Sequence, residues 1–125
     1  MFQLNDDLSI YVTRGDIVFF SVSAAEEDGS LYRFKERDVL RITVYGKKNA
    51  SEILMQKDVI VTEETDAVEV LLTKEDTTIG EPISKPKDYW YEIELNPYTN
   101  PQTIIGYDES GARVFRLYPE SVAIE

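Results

Sequence analysis

The sequence contains neither cysteine nor histidine. Disulfides, thiol nucleophiles and imidazole bases are therefore excluded, and with them the commonest zinc ligands. A chain without cysteine is stable in any redox compartment, so the compartment stays open. Basic residues are also scarce: 13 Lys and Arg stand against 24 Asp and Glu, a net charge of −11. Such a chain repels phosphate backbones, which argues against nucleic acid as a partner, and anionic membrane surfaces are disfavoured for the same reason. The acidity serves solubility, with an acidic patch for a basic partner as the alternative. No apolar run approaches the length of a membrane-spanning helix. The opening MFQLNDDLSI has no basic segment and no long apolar stretch. No signal peptide is expected, and synthesis in the cytoplasm is.

What is present suits a globular domain. The 125 residues include eight Tyr, five Phe and one Trp, and 42% are hydrophobic. A chain of this length fits one domain, residues 1–125, and can bury a core without a disulfide or metal staple.

The stretch YVTRGDIVFF, residues 11–20, holds Arg14-Gly15-Asp16, the tripeptide that animal integrins recognise. Its flanks favour a turn. Leu8, Ile10 and Val12 alternate with Ser9, Tyr11 and Thr13 on one side, and Ile17 to Phe20 form an apolar run on the other. Alternation, a Gly-centred break and a β-rich run predict an opening hairpin. Further strands are predicted at Val39 to Tyr45, Val68 to Leu72 and Tyr89 to Leu95, with a short extended piece at Leu31 to Phe34. Ile53 to Val61 reads as one bent strand or two. In the 89–95 strand Tyr89, Tyr91, Ile93 and Leu95 should face inward and Glu92 and Glu94 outward. In the 39–45 strand Leu40, Ile42 and Val44 should face inward, with Arg41 and Thr43 exposed. Thr73 and Asp76 form a helix-start box for one turn at most, since Gly80 and Pro82 follow. Gln102 to Tyr107 and Arg113 to Tyr118 read as a hairpin about Asp108 to Gly111. The tail from Pro119 has room for an edge strand. About eight short strands at sandwich-like intervals predict an all-β, antiparallel, immunoglobulin-like β-sandwich.

Candidate chemistry is sparse. Glu26, Glu27 and Asp28 beside Gly29, and Asp108 and Glu109 beside Gly111, are acidic loops of the kind that can bind calcium. Neither matches the EF-hand pattern, and solvated loops account for both. Glu92 and Glu94 have the crude spacing of a glycosidase pair, yet alternating Glu on a strand is what a charged outer face requires. No catalytic residue, metal ligand or cofactor site is assigned, and no enzyme is expected. Tyr45 and Trp90, on the less apolar faces of their strands, are candidate interface residues. So are Val122 and Ile124, in a short apolar stretch suited to edge pairing.

The order of these pieces is familiar. Tyr11 to Asp16 with the strand to Val22, Asp28 to Tyr32, Val39 to Val44, and Val68 to Thr73 running to Thr77 come first. The aromatic strand Tyr89 to Leu95, then Gln102 to Ile105 and Val114 to Leu117, complete it. Over roughly residues 8 to 120 this resembles the N-terminal immunoglobulin-like domain of the phage baseplate upper protein family. That family occurs in tailed phages and prophages of Gram-positive bacteria. The resemblance implies that Arg-Gly-Asp is a structural turn and that no catalytic residue is to be carried over. It implies a virion structural protein located in a phage tail, a baseplate or a tail-like bacteriocin, present in multiple copies in a symmetric assembly. Its partners would be other tail or baseplate proteins. Family members usually continue into helical and receptor-binding parts, which this sequence does not include, so an assembly role is expected over a receptor-binding tip. A carbohydrate-binding module for host-surface attachment is the alternative.

Overall fold

A computed structural model describes residues 2–4, 8–26, 28–47, 52–106 and 113–120, with the backbone alone for 2–4. Strands β1 Phe2–Leu4, β2 Ile10–Thr13, β3 Val18–Val22, β4 Val39–Tyr45, β5 Ile53–Ile60 and β6 Val68–Leu72 come first. A single helical turn, α1 Lys74–Thr77, precedes β7 Lys87–Leu95, β8 Gln102–Ile105 and β9 Arg113–Tyr118. Seven strands form one sheet in the order β1-β2-β9-β7-β4-β5, with β8 also on β7, and β3 and β6 form a two-stranded ribbon. The protein is an all-β sandwich.

Period-two alternation decides which faces meet. β3 and β6 each alternate buried and exposed residues, starting and ending buried. Val18, Phe20, Val22, Val68, Val70 and Leu72 thus turn one face of the ribbon into the core. The large sheet answers with Ile10 and Val12, Leu40, Ile42 and Val44, Tyr89 to Leu95 at alternate positions, and Phe115 and Leu117. Each such side chain stabilises the fold by about 1.5–3 kcal/mol relative to exposure.

The predicted hairpins are not formed. β2 pairs with β1 and, in parallel, with β9, whereas β3 pairs, among the described residues, only with β6. The Arg-Gly-Asp turn therefore carries the chain from one sheet to the other. The parallel β2–β9 pair also departs from a purely antiparallel sandwich. Alternation marks a strand and its inner face, but not its partner. β8 and β9 do not pair with each other either. β8 lies along Ile93 to Leu95 of β7 and β9 along Lys87 to Tyr91, both antiparallel, so they run in line. The loop expected between them, with Asp108, Glu109 and Gly111, lies outside the described residues. Leu31 to Phe34 contributes two isolated bridges and no strand. Residues 53–60 form one continuous strand, with a register shift opposite Val44 and Tyr45.

Two backbone positions explain finer departures. Leu8 has φ 69° and is 40% exposed, so the alternation begins only at Ile10, with Ser9 buried just before it. Gly15 has φ 89°, a conformation strained for any residue with a Cβ. Nothing else crowds it, since an added Cβ would meet the nearest Glu120 atom at 3.5 Å. Gly15→Val should therefore cost about 1 kcal/mol or more through the backbone alone. A chemical-denaturation midpoint equal to the parent's would contradict this.

Candidate functional site

The outer face of the large sheet is assembled by register. Arg41 faces Glu94, Thr43 faces Glu92 and Tyr45 faces Trp90 across β4 and β7. Asp88 faces Arg116 and Trp90 faces Val114 across β7 and β9. Side chains lie flat and bind one another. Arg116 Nε meets Asp88 Oδ1 at 2.6 Å, and its guanidinium sits 4.8 Å from the Tyr11 ring centroid. Arg41 Nε meets Asp58 Oδ1 at 2.7 Å and stacks 4.7 Å from the Tyr98 ring, whose hydroxyl also donates to Asp58.

Tyr45 and Trp90, the predicted interface pair, are thus brought side by side. Both are half-buried in this layer. The Tyr45 hydroxyl donates to Glu92 Oε1 at 2.5 Å, and burial together with that carboxylate pushes the phenol up to about 12. The layer also corrects four exposure predictions. Thr43 is buried, accepting a bond from Gln56 Nε2, and Arg41, Glu92 and Glu94 are half-buried. Long neighbours folded over the sheet cover the positions that alternation assigns to solvent. Val122 and Ile124, the other predicted interface residues, lie outside the described residues.

In the first acidic loop the Asp28 carboxylate closes a turn. Its Oδ1 accepts from the Ser30 amide at 2.9 Å and the Ser30 hydroxyl at 2.6 Å, bonds that hold its pKa low, and Gly29 supplies φ 89°. Glu26 anchors the same turn through its backbone. Glu27 lies outside the described residues.

The ribbon's outer face is different in kind. Phe19 and Leu71 are directly paired, 58% and 44% exposed, and Ile17 just before β3 is 69% exposed. Phe19 and Leu71 thus form an exposed apolar pair on a strongly charged protein, with Ile17 two residues before it. The exposed member was hidden in the sequence because Ile17 to Phe20 reads as an unbroken apolar run, without showing which residues point out.

One polar cluster escaped the sequence reading, and the predicted Thr73–Asp76 box gains a partner in Lys57. Asp38, 9% exposed, accepts from the Tyr32 hydroxyl at 2.8 Å, the Lys35 amide at 2.9 Å and Asn96 Nδ2 at 3.2 Å. Burial pushes its carboxyl up, but these donors outweigh it and the net shift is downward. Asp76 behaves alike: burial raises it, while Lys57 at 2.7 Å and the Thr73 cap pull it below the usual range. Both folded-state values lie below the unfolded value of about 3.9, so their contribution is complete above about pH 5 and is lost as pH falls through 4 and below. The urea midpoint should accordingly hold from pH 7 to about 5 and drop steeply below. Asp38→Asn should lower the midpoint at pH 7 and flatten that drop. Parallel pH curves for the two proteins would remove Asp38 from the account.

Comparison with protein-family models, with curated proteins and with solved structures found no match to this chain.

Proposed function

We propose that this protein is a structural module that docks to other proteins of a phage tail, baseplate or tail-like particle, in several copies within a symmetric assembly. One observation carries the docking: the exposed pair Phe19 and Leu71 on the ribbon's outer face, with exposed Ile17 just before β3. Grouped apolar exposure on a chain of net charge −11 marks a contact surface. The particle, and the immunoglobulin-like assignment, rest on the resemblance of residues 8 to 120 to baseplate upper proteins.

Particles purified from a producing strain should contain the chain in fixed stoichiometry. The double substitution Phe19→Thr, Leu71→Thr changes outward positions only and keeps good strand formers, so stability should shift by at most about 1 kcal/mol while occupancy in particles collapses. Absence of the parent chain from particles overturns the particle reading. Full occupancy of the folded double variant overturns this face as the docking surface.

A further inference from the structure

Among the described residues β6 pairs with β3 alone, and β5 ends the seven-stranded order. On this side of the sandwich both sheets therefore stop at a strand edge. The connection from β5 to β6 lines a cleft of about 300 Å3 beside these edges, in which Val59, Val61 and Val68 stand among the polar Thr62, Glu63 and Glu69. Ile60 is 64% exposed at its lip. A two-stranded ribbon is the smallest possible sheet and gains most from a third strand.

The charges around the cleft are unequal in their pairing. Arg33 binds Glu64 and Asp66, Lys57 binds Asp76, and Arg41 binds Asp58. Among the described residues neither Glu63 nor Glu69 has an ion-pair partner. Glu69 stands on the same outer face of β6 as Leu71, two residues apart and both exposed. An incoming strand at this edge would thus meet Val59, Val61 and Val68 within a cleft of mixed polarity, with the Glu69 carboxylate on the ribbon's outer face.

We infer that the β6 edge is completed by an extended segment of a basic partner protein, added as a third strand of the ribbon. Alternate aliphatic side chains of that segment enter the cleft against Val59, Val61 and Val68. Lys or Arg at the intervening positions meet Glu69 and Glu63. Main-chain bonds to the edge supply affinity, and the alternation supplies selectivity. A second copy of this chain is the poorer occupant, because it brings a further −11 and a second Glu69 to the same edge. The inference deepens the docking reading above and rests on it for a biological partner.

The test uses the whole chain and two short synthetic peptides, one alternating valine with lysine and one alternating valine with glutamate. Binding is followed by amide chemical shifts and hydrogen exchange. The lysine peptide should bind at least about tenfold tighter, and protect amides within Val68 to Leu72. Glu69→Lys, an exposed substitution, should reverse the preference. Failure of the lysine peptide to bind, binding that ignores Glu69→Lys, or protection of β6 by self-association would each overturn the proposal. Particle incorporation is read separately: a parent chain missing from particles sinks the particle reading even when the peptide adds to β6. Full incorporation of Glu69→Lys leaves docking standing and removes this edge from it.

Discussion

Phe115→Ala should lower the free energy of unfolding by about 3–5 kcal/mol, the largest loss expected from any single truncation in the core. The ring is fully buried at the middle of the large sheet. It stands opposite Ile10 across the parallel β2–β9 pair and opposite Tyr89 across β7–β9, and it meets the Tyr91 ring edge-on at 6.4 Å. Truncation removes contacts to two strands and one ring at once. Collapse into the space is resisted because Ile10 and Tyr89 are each held in register by their own ladders. Phe115→Leu, which keeps most of the volume, should lose less than half as much. A denaturation midpoint for Phe115→Ala close to that of an outward substitution such as Arg116→Ala would contradict this placement of the core.

The inward set of this core was readable wherever alternation was clean. Leu40, Ile42 and Val44, and Tyr89, Tyr91, Ile93 and Leu95, are all buried as predicted. The helical turn was readable too, because a capping box is local chemistry: Thr73 accepts from the Asp76 amide, and Asp76 accepts from the Thr73 amide. Pairing was not readable. Whether β2 lies beside β3 or beside β9 is decided by contacts more than a hundred residues apart, which leave no mark on either segment's period. Outer-face burial failed for a similar reason. Thr43 and Glu92 are covered by Gln56 and Tyr45 from neighbouring strands, and a single strand's sequence carries nothing about the length of its neighbours' side chains. The exposed Phe19–Leu71 group needed both the register of β3 with β6 and the isolation of the ribbon.

Arg14→Ala is expected to destabilise the fold by about 1–3 kcal/mol, so the basic residue of the Arg-Gly-Asp turn acts inward. Its side chain is only 10% exposed. Nε donates to the Ile79 carbonyl at 3.1 Å, one terminal nitrogen to the Gly80 carbonyl at 2.9 Å, and the other to Glu120 Oε1 at 2.9 Å. Its own amide donates to the Tyr118 carbonyl. One planar fork thus ties the β2 turn to the segment before β7 and to the end of β9, three places far apart in sequence. Alanine leaves two carbonyls and a carboxylate without their donor, and the cost falls mainly on the buried Ile79 carbonyl, since water reaches Gly80 and Glu120. Lysine is a revealing control. It keeps the charge but cannot place three donors in a fixed fork, so Arg14→Lys should recover only part of the loss. The same geometry bears on cell adhesion: a guanidinium held by three acceptors of its own chain is not presented to a receptor. Immobilised protein should accordingly support no Arg-Gly-Asp-dependent cell attachment, with or without Arg14. An Arg14→Ala protein of unchanged stability that loses attachment shown by the parent would reverse the assignment and make the turn a recognition signal after all.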